Sequence, residues 1–172
     1  MKFKILLVLV FFSLIIWYSC EPIQTMPARP YIDYTSFTVF DTTDLLGNLV
    51  KGGRLKFYFE DGDGDLGLPV PVEDLPTDSV NLFLRLYRIN DGVTSPAPDD
   101  DPLTPSGFRI PFMTRNGQNQ ILKGNITVDI SYLFTTNEDT IQYLFYVKDR
   151  AGNISNIDST STLPLFYNGV YN

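Results

Sequence analysis

An all-β, two-layer sandwich is the fold this sequence predicts, and three observations predict it. Beyond residue 20 no stretch sustains a 3.6-residue apolar period, so amphipathic helices are not expected. Two-residue alternation of apolar and polar side chains recurs instead, the period of a strand with one buried face. The alternating runs are short, about seven in number, and separated by Gly, Pro, Asn and Asp. That spacing suits antiparallel sheets joined by turns, not βαβ units.

The first run, 31–40, leads into a turn-rich connection through Asp44, Gly47, Asn48, Gly52 and Gly53. The second, 54–60, places Leu55, Phe57 and Phe59 on one face and stops at Asp61, where glycines alternate with aspartates. Pro69, Pro71 and Pro76 then preclude a ladder. Residues 80–89 set Leu82, Leu84 and Leu86 against Phe83, Arg85 and Tyr87. Asp and Pro dominate 90–107, which reads as a solvated excursion and not a strand, with Asp99, Asp100 and Asp101 as an exposed acidic run at the pole away from the aspartate loop. A strand at 108–114 and a turn at Asn116–Asn119 follow, then 121–130 with Ile126, Val128 and Ile130 inward. Residues 140–148 alternate Ile141, Tyr143, Phe145 and Val147, and the last strand lies within 154–167.

Composition narrows the chemistry. With 44% hydrophobic and 14% aromatic residues, a chain of 172 residues can bury a core, and disorder is not expected. The net charge is −7, so nucleic acid is a poor partner: phosphate binding needs clustered Lys and Arg. The sequence has no histidine, which removes imidazole bases, Ser-His-Asp and Cys-His catalysis and His-ligated zinc. Its single cysteine, Cys20, precludes an internal disulfide.

Lys2 and Lys4, the apolar run Ile5 to Tyr18, and Ser19-Cys20 follow the order of a secretory signal, and the apolar run is short of the roughly 20 residues a membrane span needs. The stretch resembles a bacterial lipoprotein signal, in which the cysteine becomes lipidated and is left as the new amino terminus. That implies a signal peptide over 1–19, lipidated Cys20 with a Pro-rich tether over 20–30, and a folded domain over 31–172. An uncleaved amino-terminal anchor is the alternative. Either reading puts the domain outside the cytoplasm, with the membrane as a partner.

Asp61, Asp63 and Asp65 bring six hard oxygens close together, which is costly unless water or a cation such as Ca²⁺ neutralises them. Two readings stand: a cation site, structural before catalytic, or side chains and glycines that only shape a turn. An EF-hand does not fit, because counting from Asp61 places Val72 where the bidentate Glu belongs.

The motif Phe-Glu-Asp-Gly-Asp-Gly-Asp-Leu-Gly over 59–67, with Tyr-Val-Lys-Asp-Arg-Ala-Gly-Asn-Ile-Ser-Asn over 146–156, resembles the immunoglobulin-like domains of Bacteroidota outer-membrane lipoproteins. The resemblance implies an immunoglobulin-like antiparallel β-sandwich and an envelope address; it implies no activity. In such a sandwich the loops after the second, fourth and sixth strands share one end. Asp61, Asp63 and Asp65 would then meet Asp149 and Asn153, and also Asn116 and Asn119, at one tip, with the lipid anchor at the far end. For Asp149 and Asn153 turn shaping is the leading reading, and a Ca²⁺-ligand role for Asp149 is the second.

The functional expectation is a non-enzymatic, lipid-anchored module that serves an outer-membrane assembly through an envelope protein partner, with structural Ca²⁺ as its one candidate cofactor and no catalytic residues. A carbohydrate-binding lipoprotein of polysaccharide uptake is the alternative, with a glycan as ligand and Tyr58, Phe83, Tyr87, Tyr146, Phe166, Tyr167 and Tyr171 as the aromatics that could stack on it. A calcium-dependent hydrolase comes third.

Overall fold

The computed structural model describes residues 26–70, 80–114, 120–136 and 138–172. Among them there is no helix, and the nine strands form an immunoglobulin-like sandwich of two antiparallel sheets. In chain order these are β1 (Tyr31–Thr43), β2 (Leu49–Asp61), β3 (Leu82–Asn90), β4 (Val93–Pro96), β5 (Leu122–Tyr132), β6 (Thr140–Val147), β7 (Asp158–Ser159), β8 (Leu163–Pro164) and β9 (Gly169–Tyr171). One sheet runs β5-β2-β1-β9; the other runs β4-β3-β6-β7, with β8 also on β6.

The inward faces are those the alternation predicts. Leu55, Phe57 and Phe59 of β2 meet Ile141, Tyr143, Phe145 and Val147 of β6 in one core with Leu82, Leu84 and Leu86. Phe57 and Phe145 pack with ring centroids 5.3 Å apart. In β1 the register shifts between Tyr34 and Ser36, so that buried Ile32 and buried Phe37 face the same core although they are five positions apart.

Several expectations are corrected. The first hairpin extends past its predicted ends: Gly52 and Gly53 are not turn residues but pair with Phe40 and Val39 inside the ladder. They are glycine because the Phe40 and Phe37 rings lie over them; a Cβ on Gly53 would come 2.4 Å from the Phe37 ring. Residues 108–114 form no strand. Pro111 has no N–H to give, the Ile110 N–H goes to Asn81 Oδ1 at 2.6 Å, and only isolated bridges to Leu82 and Leu68 remain. The excursion after residue 90 is not wholly irregular, because Asp91 and Gly92, both at positive φ, fold Val93–Pro96 back onto β3 as a tight hairpin. The last strand splits into β7 and β8, and the chain then crosses to the other sheet as β9.

Side chains finish the edge that backbone does not. Asn156 accepts from Ile32 N–H at 2.8 Å and donates to Ile32 C=O at 2.8 Å, standing in for a ladder partner; Asp158 accepts from Tyr34 N–H at 2.5 Å. At the far pole, Arg88 grips Asp101 with two bonds of 2.8 Å and also binds Asp139. Asp101 is therefore not a solvated member of the acidic run: its side chain is 6% exposed. Tyr143 in the core donates to Leu103 C=O at 2.9 Å.

Candidate metal centre

Strand β2 ends on Asp61, and β6 ends two residues before Asp149. Both strands run toward the same pole, so the loops that follow them meet there. One carboxylate oxygen from each of Asp61, Asp63, Asp65 and Asp149 lies within 4.8 Å of the others, a cluster fit to hold a metal ion. Asp61 is 1% exposed and Asp149 3%.

The hydrogen bonds sort these oxygens into two kinds. Asp61 Oδ2 accepts from Leu66 N–H at 2.6 Å, and Asp65 Oδ2 accepts from Ala151 N–H at 3.0 Å, which ties the two loops together. Asp149 accepts from the backbone and side-chain N–H groups of Asn153 at 2.7 and 2.8 Å. Asp149 and Asn153 thus make a turn, and its hydrogen bonds fix Asp149 in the cluster. Oδ1 of each of Asp61, Asp63 and Asp65 is shielded from solvent and has no hydrogen-bond partner among the described residues.

Four carboxylates crowded in this way are electrostatically unfavourable unless something positive joins them. Among the described residues none of the four aspartates is in an ion pair. Arg150 donates to Gly67 C=O at 2.7 Å and lies 4.9 Å from the centre of the Phe112 ring. Burial, with Asp63 and Asp65 adding to it, pushes the Asp61 carboxyl up to about 6. Asp65 is raised too, first by burial and then by Asp149 and Asp63, with the Ala151 N–H and the Arg150 charge opposing them in part.

Comparison with protein-family models, curated proteins and solved structures finds no match.

The sequence places the lipid anchor at the far end from the aspartates, yet the chain enters the domain at their pole, where Gly62 N–H donates to Pro27 C=O at 3.2 Å. The approach is so close that a Cβ on Gly62 would come within 2.4 Å of the Met26 and Pro27 carbonyl oxygens. Arg29 adds bonds of 2.6 and 3.0 Å to the carbonyls of Ile154 and Ser155. The reason is antiparallel pairing: β1 must begin where β2 ends, Tyr31 opposite Glu60. Asn116, Asn119 and Cys20 lie outside the described residues.

The surface aromatics are engaged with one another or with polar neighbours. Phe83 and Tyr146 stack with centroids 5.0 Å apart, each ring turning a face to the other. Phe166 and Tyr167 meet edge to face, Tyr58 donates to Glu60 at 2.7 Å, Tyr87 lies beneath Arg85, and Tyr171 donates to Tyr167 C=O at 2.9 Å.

Proposed function

We propose that this chain is a non-enzymatic, lipid-anchored module of the cell envelope, held at the outer membrane through Cys20, whose sandwich is braced by a Ca²⁺ ion and serves as an accessory part of a membrane assembly. The observation that carries the ion is the crowding of one carboxylate oxygen from each of Asp61, Asp63, Asp65 and Asp149 within 4.8 Å, in a group where Oδ1 of Asp61, Asp63 and Asp65 is shielded and unpartnered. Oxygens bound to Ca²⁺ at 2.3–2.6 Å can stand at most about 5 Å apart, which accommodates the spread of this cluster, whereas around Mg²⁺ the limit is about 4 Å. Carbonyls or water would complete the six to eight ligands Ca²⁺ takes.

The role is structural on this reading. Three separate segments meet at the cluster, namely the loop after β2, the loop after β6 and the strap at Met26 and Pro27, and an ion would fasten them together. Because the chain enters at this pole, the ion-bearing end would face the bilayer and the opposite end would face a partner. In the full chain, millimolar Ca²⁺ is expected to raise the melting midpoint by roughly 8 °C over chelator, from about 2.7 kcal/mol at a hundredfold excess over Kd. No shift would remove the ion. Cys20→Ala is expected to abolish palmitate labelling, and detergent extracts of membranes should yield the intact protein with an outer-membrane partner.

A further inference from the structure

The sheet edges of this protein are not equally protected. Edge strand β4 has four residues and ends in Pro96, β7 has two, and β9 has three. The opening half of β1, where β9 does not reach, is capped by Asn156 and Asp158. By contrast β5 is an edge strand of 11 residues, paired to β2 without a register shift and free of proline. Among the described residues nothing is paired to its outer side. A long, regular edge of this kind is a template for another strand, and proteins normally shorten, bulge or cover it.

The sequence of β5 says which strand fits. Read about Ile126, residues 122–130 run nearly alike in both directions: Leu122 mirrors Ile130, Lys123 mirrors Asp129 with opposite charge, Asn125 mirrors Thr127, and only Gly124 and Val128 differ in size. Lys123, Asn125, Thr127 and Asp129 are exposed on the outer face, while Leu122, Ile126 and Val128 on the inner face are only half-buried. We propose that two copies of this chain associate antiparallel through β5, with Ile126 on the two-fold axis, joining their four-stranded sheets into one. In that register each Lys123 faces Asp129 of the other copy, so the contact carries two opposite-charge cross-strand pairs. It also covers the half-exposed apolar row of both copies. Asp129, held by Arg54 through bonds of 2.7 and 2.8 Å, is already oriented on the outer face.

The test uses a zero-length carbodiimide cross-linker on the full chain in detergent micelles, with sedimentation as the second readout. Lys123 and Asp129 of one chain are about 20 Å apart along an extended strand, so an amide between them can form only between copies. The expected result is a dimer containing the Lys123–Asp129 cross-linked peptide. Lys123→Asp and Asp129→Lys should each weaken dimerisation about tenfold or more, because like charges then face each other. Mixing the two variants should restore it, since the carboxylate introduced in one copy would face the ammonium introduced in the other. The proposal is overturned by a wild-type chain that sediments as a monomer at about 100 μM. It is equally overturned by a dimer that forms without the linked peptide, by variants whose mixture stays monomeric while each is folded by circular dichroism, or by a different protein found paired on β5. Calcium binding plays no part in these outcomes.

Discussion

Replacing Asp61 by Asn should stabilise the ion-free protein and shrink the stabilisation that calcium adds. Without the ion, burial holds the Asp61 carboxyl at about 6 in the folded protein, against about 3.9 in an unfolded chain. A raised carboxyl contributes stability that is fully present below the unfolded value and is lost as pH rises through the folded one. At pH 7 the ionised group therefore costs the ion-free fold up to roughly 3 kcal/mol. Asparagine keeps an oxygen for Leu66 N–H and turns an N–H toward Asp63, so in chelator the variant should be more stable by about 1–3 kcal/mol, or roughly 3–9 °C. With calcium that gain is offset. Loss of a charged ligand should weaken binding at least tenfold, which removes about 1.4 kcal/mol or more of ion-derived stability. The assay is thermal unfolding of both proteins at pH 7 in chelator and in millimolar Ca²⁺, with the ion-free wild type repeated at pH 5, where it should melt higher. A variant that is less stable in chelator, or that responds to calcium as the wild type does, would refute the argument that these oxygens await a cation.

Two further expectations concern the rest of the fold. Arg88→Met leaves Asp101 and Asp139, whose side chains are 6% and 14% exposed, facing each other without a cation, at a cost of about 2–4 kcal/mol at pH 7. Arg88 hydrogen bonds hold the Asp101 carboxyl below its ordinary range, so this contribution is present above about pH 4 and lost as pH falls through the lowered folded value; urea unfolding at pH 7 and pH 3 should show the gap to wild type narrowing in acid. Asn156→Ala leaves Ile32 N–H and C=O without partners and should cost about 1–3 kcal/mol. Hydrogen exchange should quicken at Ile32 and not at Phe37, which pairs with Tyr171 of β9.

Much of the site is legible in the sequence because its residues are local. Asp61, Asp63 and Asp65 alternate with glycine at the end of a strand whose period-two pattern is unmistakable, and the fold class then requires the loops after β2 and β6 to share a pole. Where sequence and structure differ, a local signal has a non-local cause. Gly52 and Gly53 suggest a turn, yet they are glycine because rings from the neighbouring strand lie on them. The alternation over 108–114 suggests a strand, but its amide is claimed by the side chain of Asn81. The Asp91-Gly92 pair, by contrast, was a readable hairpin signal submerged in a run of prolines and aspartates.

Sequence alone determined that this is a sheet protein, which faces of its strands are apolar, and that three carboxylates must crowd at the end of β2, because these follow from periodicity and spacing along the chain. Tertiary structure alone decided which oxygens are left without a donor, that Asp149 is clamped by Asn153 into their company, and that the strap at Pro27 crosses the same loop. The physical reason is that a hydrogen-bond deficit belongs to a place in space: only when strands far apart in the chain are laid side by side does it become clear which polar atoms have been supplied with partners and which have not.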